Sequence, residues 1–275
     1  MDTNPDTIQS ASSAGRRRAG RTSGSADLFS GGGRSRWAVV VVYAVAMAWV
    51  EAAVVLDLRT ITGQMDPYSP QPLLAIGNTG IAEVIREFAT MIMLGAVGWL
   101  AGRSWRSRIG YGLVAFGVWD IFYYIFLRPL TAWPRSLLDW DLLFLIPLPW
   151  WGPVWAPVSI ALLMVLGGTL VAQFDEPTAP LWPRRRARYL GTLGVAVALY
   201  VFMTDALRVA NQGLPALRAL LPVWFNWPLF VAAWLLMAAP LVDLLVQVRK
   251  RQGQTAPGLT GIEPSAPPAG TEAAL

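Results

Sequence analysis

Long apolar runs dominate this chain, and short segments rich in Arg, Pro or Gly separate them. A helix of about 20 apolar residues, rising about 1.5 Å per residue, crosses the roughly 30 Å hydrocarbon core of a bilayer. No water in that layer can satisfy backbone groups, so each run is predicted to be a helix. The predicted spans are residues 37–56, 80–101, 109–127, 155–174, 189–209 and 223–246. The pattern therefore predicts an all-α integral membrane bundle of about six transmembrane helices.

The two ends of the chain lack this apolar pattern. Residues 1–36 are rich in Ser, Gly and Arg and are predicted to form a disordered, basic cytoplasmic arm. Residues 249–275 are rich in Pro, Gly and Ala after three basic residues, and are predicted to form a disordered cytoplasmic tail. The transmembrane domain is accordingly predicted to occupy residues 37–248. Small residues such as Gly167 and Gly168 suit close packing between its helices.

One apolar segment, residues 137–157, does not fit a helix. It reads LLDWDLLFLIPLPWWGPVWAP, and its prolines at 147, 149, 153 and 157 exclude a continuous helix. We predict an interfacial or re-entrant element on the outer face. An aromatic belt at headgroup level is the alternative, because Trp is enriched at both membrane interfaces. The residues assigned to this element are Asp139, Trp140, Asp141, Trp150 and Trp151.

The composition excludes several kinds of chemistry. Of the 275 residues, 55% are hydrophobic and 14% charged, against about 25% charged in soluble domains. The absence of Cys and His excludes disulfides, thiol redox chemistry, the usual zinc and haem ligands, and Ser–His dyads. The remaining ligands, carboxylates and carbonyls, favour Mg, Ca or Mn. We predict neither a metal nor a cofactor.

The net charge of +5 follows the predicted topology rather than a nucleic-acid surface. If the N-terminus is cytoplasmic, sixteen of the 22 Lys and Arg residues lie on the cytoplasmic side. These sixteen are Arg16, Arg17, Arg18, Arg21, Arg34, Arg36, Arg103, Arg106, Arg108, Arg184, Arg185, Arg186, Arg188, Arg249, Lys250 and Arg251. Basic cytoplasmic loops orient membrane proteins. We therefore predict an inner (plasma) membrane protein with both termini cytoplasmic, in contact with lipid and not with nucleic acid.

Ionisable residues inside the predicted spans mark a candidate site. Each costs about 2.5–3.5 kcal/mol at the centre of a helix, so such residues usually face an interior and serve a function. They are Glu51, Glu83, Arg86, Glu87, Asp120, Asp205 and Arg208, with Tyr123 and Tyr124 beside Asp120. Counting residues from the helix ends places the acids of four helices in one layer of the outer half. Glu83, Arg86 and Glu87 share one helix face.

These polar residues allow more than one interpretation. Interhelical polar contacts contribute about 0.6–2 kcal/mol each, so one or two pairs could serve packing alone. Five acids against two arginines leave an excess that pairing does not explain. Protonated carboxyls, a bound cation or a positively charged substrate could meet it. We predict a site that handles a small molecule, cation or lipid for transport or permeation. The alternatives are an intramembrane acid–base enzyme acting on a lipid or isoprenoid, and a structural or accessory subunit.

Two stretches carry a resemblance to known sequences. GVWDIFYY (117–124) and WDLLFLIPLPWWGPV (140–154) resemble a bacterial family of multi-pass inner-membrane proteins with no known activity. The resemblance covers the chain from the first predicted helix to about the fourth. It implies a bacterial inner-membrane location and carries over no activity.

Overall fold

The computed structural model describes residues 24–63, 65–68 and 77–255. Its helices are α1 (Gly24–Thr62), α2 (Gly77–Ala101), α3 (Trp105–Thr131), α4 (Trp155–Phe174), α5 (Arg185–Val209), the short α6 (Leu214–Arg218) and α7 (Trp227–Thr255). In this part of the chain, six helices are long and apolar enough to cross a membrane. The predicted all-α bundle is confirmed, and the chain is a multi-pass membrane protein.

The ends of the helical domain differ from the prediction. α1 begins at Gly24 and α7 continues to Thr255, so part of the predicted arm and part of the predicted tail are helical. Once a helix exists, adding a residue costs little because each one contributes a hydrogen bond. The rest of the predicted arm (1–23) and of the tail (256–275) lies outside the described residues.

The long helices form an open arc in the order α2, α3, α4, α7 and α5. α1 packs mainly against α3 and makes smaller contacts with α2 and α4. One apolar core joins α1, α2 and α3 around Tyr111 and Val114. A second core joins α5 and α7 around Phe202 and Phe230. α4 connects the two cores, because it packs against both α3 and α7.

Glycines allow a close approach between α3 and α4. A Cβ atom added at Gly168 would lie 2.6 Å from the carbonyl oxygen of Gly110, and one at Gly117 would lie 2.6 Å from that of Ala161. The packing role predicted for Gly168 is confirmed. The same prediction is wrong for Gly167, where an added Cβ would meet nothing within 4 Å, because this residue faces a cavity.

A β-hairpin occupies the segment that the prolines exclude from helix. Strands β1 (Trp140–Phe144) and β2 (Trp150–Pro153) pair antiparallel, with Asp141 opposite Gly152. A Cβ at Gly152 would lie 2.9 Å from the ring of Phe202, so the hairpin packs closely on α5. Trp151 is only 5% exposed. This buried tryptophan disagrees with a simple aromatic belt, whose side chains would face the headgroups.

The opposite end of the bundle carries the connections 102–104 and 175–184 with the arginines in and beside them, and is called the basic end below. Asp175 holds it together by accepting hydrogen bonds from Ser104, Arg106 and the backbone N–H of Leu181. Burial alone would raise the pKa of Asp175, but these hydrogen bonds outweigh it and hold the pKa below its usual value. Asp175 therefore forms a structural ion pair with Arg106, which joins α3 to the end of α4.

Candidate functional site

A cavity of about 870 Å³ lies inside the arc of helices, below the hairpin. Its hairpin end is polar. The ionisable and phenolic residues that line this end are Glu51, Arg59, Glu83, Arg86, Glu87, Asp120, Tyr123, Tyr124 and Asp141. They come from α1, α2, α3 and β1, which the fold brings to one place.

Arg86 links α1 to α2 at the polar end. Its guanidinium forms ion pairs with Glu51 and Glu83, and its Nε donates a hydrogen bond of 2.9 Å to Glu83. Glu51 also accepts a hydrogen bond of 3.2 Å from the Thr90 hydroxyl. The i, i+3 spacing of Glu83 and Arg86 makes the pair with Glu83 possible. One arginine therefore compensates two carboxylates.

The remaining partnered acids hold the hairpin between the helices. Glu87 accepts a hydrogen bond of 3.3 Å from the backbone N–H of Leu145, and Asp141 accepts one of 2.8 Å from the hydroxyl of Tyr124. Glu87 lies ten residues after Gly77, the first residue of α2, which is about 15 Å along the helix. The hairpin therefore extends from the first residues of α2 well into the bundle. This depth supports the re-entrant interpretation over an interfacial one.

Asp120 differs from the other acids because one of its oxygens is unpaired. The residue is 9% exposed and lines the cavity. No group in the described chain hydrogen-bonds its Oδ2 atom, or the indole N–H groups of Trp119 and Trp150, which also line the cavity. Buried polar atoms without partners cost about 1–3 kcal/mol each. This part of the cavity wall thus offers an acceptor and two donors to a bound molecule, and the indole N–H of Trp182 is a further unpaired donor at the basic end.

Aromatic side chains surround Asp120. The ring of Tyr123 stacks on Trp119 with 6.2 Å between centroids, and meets Tyr124 edge-on at 5.2 Å. Both tyrosines lie within four residues of Asp120, so they share its part of the helix surface. Aromatic faces attract cations. This wall therefore suits a positively charged group as well as an apolar one.

The cavity is apolar from its middle to the basic end. Its walls there include Leu163, Met164 and Gly167 of α4, Val195 and Leu199 of α5, and Leu241 and Leu244 of α7. Trp182, Pro183 and Arg188 line the basic end itself. The whole is a slot with a polar head and an apolar body.

Asp205 and Arg208, which the sequence assigned to the polar layer, lie elsewhere. They pair with each other at 3.0 Å, Arg208 is 66% exposed, and neither is among the described residues that line the cavity. This assignment was wrong because depth along a helix does not show which face a residue occupies. Asp141 and Arg59 line the polar end instead. The polar end therefore still contains five acids and two arginines.

Three of these cavity residues were not assigned to the polar layer from sequence. Asp141 was placed on the outer face, because the depth of the hairpin cannot be read from its prolines. Arg59 follows the predicted end of the first span, but α1 continues to Thr62 and Arg59 is buried against the Trp133 ring, 4.5 Å away. Thr90 was overlooked, although its spacing of four residues from Arg86 places it on the polar face of α2.

The other outer-face residues have separate roles. Asp139 caps a turn by accepting hydrogen bonds from the Arg135 N–H and the Ser136 hydroxyl, at 2.7 and 2.8 Å. Trp140 packs edge-on against Phe225, with 6.0 Å between centroids. Of the five residues assigned to the element, Asp141 and Trp150 line the cavity.

The acids do not converge on one point. Throughout the described ranges, no three Asp or Glu side chains are grouped so that they could hold a metal ion. Glu51 and Glu83 instead share Arg86, whereas Glu87 and Asp141 contact Leu145 and Tyr124. No family model, curated protein or solved structure matches this chain. The family resemblance stays a prediction, and the geometry of the cavity is what bears on function.

Proposed function

We propose that this protein binds a lipid-like amphiphile in the cavity, with the polar head of the ligand at the carboxylates and its chain in the apolar slot. One observation carries the proposal. A single cavity is lined by carboxylates and arginines at one end and by Leu, Met and Val side chains along the rest. Ligand sites combine mainly apolar walls with a few placed polar groups in this way.

The polar end favours a head group that is cationic or rich in hydrogen-bond donors. Five carboxylates and two guanidinium groups lie there, and Arg86 already forms ion pairs with Glu51 and Glu83. Charge-assisted hydrogen bonds from a donor to a carboxylate are about twice as strong as neutral ones. Asp120, with an unpaired oxygen, is the acid best placed to accept such a bond.

Transport of the amphiphile is the activity that the shape supports best. The cavity extends from Arg59 and Pro67 near the hairpin to Trp182 and Arg188 at the basic end, so its occupant could move along the membrane normal. A small ion is a poor candidate, because an ion path needs polar groups along its length and half of this cavity has few. Permeation of a metal cation is correspondingly disfavoured.

Acid–base chemistry on the same amphiphile is the second candidate. Asp120 is a buried acid with a free acceptor position, and Tyr123 lies beside it. A carboxyl in apolar surroundings can act as a general acid. The accessory-subunit alternative instead treats the polar residues as packing groups, and it predicts no bound amphiphile.

The location proposed from the sequence agrees with the placement of the basic residues. The α2–α3 connection carries Arg103, the α4–α5 connection carries Arg184, and α7 ends near Arg251, all at the basic end. The hairpin lies at the other end. With basic residues facing the cytoplasm, both termini are cytoplasmic and the polar site lies in the outer half. The resemblance carried by residues 117–124 and 140–154 is what favours a bacterial inner membrane.

Filling the slot tests the proposal. A Cβ at Gly167 points into the cavity and meets nothing within 4 Å, so Gly167→Leu should occupy the slot without disturbing packing. Gly95→Leu is the matched control, because a Cβ there also meets nothing within 4 Å and Gly95 is not among the cavity residues. Each protein is reconstituted in phosphatidylethanolamine and phosphatidylglycerol, extracted, and weighed by native mass spectrometry.

We expect the wild type and Gly95→Leu to retain a lipid adduct of defined mass, and Gly167→Leu to lose it. Equal adducts on all three proteins would contradict the proposal, since the lipid would then lie outside the slot. An absence of adducts on the wild type would favour the accessory-subunit alternative.

A further inference from the structure

On one side of the arc, the two neighbouring helices, α2 and α5, do not pack against each other within the described residues. α2 packs along α3, α3 along α4, α4 against α7, and α7 along α5. In the part of the chain that the structure describes, no comparable packing joins α2, at one end of the arc, to α5, at the other. The cavity lies inside this arc, and both α2 and α5 contribute to its walls.

The unjoined side lies at the depth of the hydrocarbon. Met91 of α2 is ten residues before Ala101, and Val195 of α5 is ten residues after Arg185. Both ends are at the basic end, so each residue is about 15 Å above it, half-way across a core of about 30 Å. Both residues line the cavity. The space between them is therefore level with acyl chains rather than with water.

We infer that the cavity opens sideways into the bilayer between α2 and α5, and that its occupant is a membrane lipid that enters chain-first through this gap. The inference rests on the proposed function and names its substrate class as an acyl-chain lipid rather than a water-soluble solute. The hairpin supports it, because the hydrogen bonds of Glu87 to Leu145 and of Asp141 to Tyr124 hold the hairpin across the polar end of the cavity. A lipid tail needs no aqueous route, since apolar walls at this depth match the bilayer.

A tether across the gap tests the inference. The chain contains no Cys, so the double variant Met91→Cys, Val195→Cys carries only the two intended thiols. In detergent, one sample is bridged with a flexible bis-maleimide, and a control sample of the same variant is capped with N-ethylmaleimide. Both are then reconstituted with phosphatidylethanolamine and phosphatidylglycerol, including a phosphatidylethanolamine with a diazirine near the end of one acyl chain.

The readout is the position of photo-crosslinks on α4, mapped by peptide mass spectrometry. Met164 and Gly167 line the cavity, whereas Leu162 and Leu166 are exposed on the other face of the same helix and report lipid around the protein. In the capped control we expect crosslinks on both faces. In the bridged sample we expect the cavity-face crosslinks to fall to the level seen without ultraviolet light, while those on the outer face persist.

Two other outcomes are informative in different ways. If bridging leaves the ratio of cavity-face to outer-face crosslinks unchanged, the lateral opening is wrong and the amphiphile site survives. If the capped control shows crosslinks at Leu162 and Leu166 but none at Met164 or Gly167, the lipid does not occupy the cavity. Both the opening and the proposed function then fail.

Discussion

Replacing Asp120 by Asn separates a ligand-binding acid from a packing acid. Asn has the same shape and removes the charge of a residue that is 9% exposed. Because Oδ2 of Asp120 has no partner in the described chain, the change breaks no hydrogen bond at that atom. Leaving a buried group without a partner costs more when the group is charged than when it is neutral, and the amide of Asn is neutral. We therefore expect Asp120→Asn to be as stable as the wild type, or more stable by about 1–3 kcal/mol.

Binding should change in the opposite direction. A hydrogen bond to a charged group contributes about 1.5–3 kcal/mol, and each 1.4 kcal/mol corresponds to a factor of ten in affinity. If Asp120 accepts a bond from a cationic head, Asp120→Asn should weaken binding by about 10- to 100-fold. The assay is thermal melting in detergent with a titrated long-chain alkylamine as probe. The wild type should be stabilised at much lower probe concentration than the variant.

Asp205→Asn is the control for this experiment. Asp205 also lies in a predicted span, but it pairs with the exposed Arg208 outside the cavity. Exposed ion pairs of this kind contribute at most about 1 kcal/mol, so melting and probe response should stay close to those of the wild type. The reasoning would be refuted if Asp120→Asn melted several degrees lower while retaining the full probe response. Asp120 would then be a packing group.

Three further substitutions test the structure around the site. Arg86→Met leaves Glu51 and Glu83 without their shared cation and should cost about 3–5 kcal/mol in denaturant unfolding; an unchanged midpoint would contradict the pairing. Gly168→Ala places a Cβ against the Gly110 carbonyl and should cost about 1–3 kcal/mol by the same measurement, whereas Gly167→Ala should cost no more than about 1 kcal/mol. The pKa of Asp175 is held low in the folded state, so it stabilises the protein above the unfolded value of about 4 and loses that contribution as the pH falls through the folded pKa. The melting temperature of Asp175→Asn should therefore fall less than that of the wild type as the pH is lowered. An equal fall in both proteins would contradict this role of Asp175.

The helices could be predicted because membrane spans have a distinctive length. Each predicted span, such as residues 155–174, overlaps a long helix of the structure. Prolines at 147 and 149 likewise excluded helix where the hairpin turns. Both predictions rest on local physics: the thickness of the hydrocarbon, and the missing N–H and fixed φ of proline.

The contents of the site were predicted only in part, because they depend on packing. The acids of α1, α2 and α3 do line one cavity, since ionisable residues in spans turn inward. Asp205 is just as deep but lies on a face of α5 that the arc leaves outside. Asp141 entered the site because the hairpin folds inward, with Tyr124 as its partner. Neither the face of α5 nor the depth of the hairpin follows from residue spacing.

An experimental density map of the protein, crystallised from a lipid phase, tests the amphiphile site most directly. We expect continuous elongated density in the slot beside Gly167, ending in a head group within hydrogen-bonding distance of Asp120 or Glu87. We also expect the gap between α2 and α5 to remain open. A cavity filled by protein side chains, or an α2 packed directly against α5 with no space for a chain, would contradict the proposed lipid site.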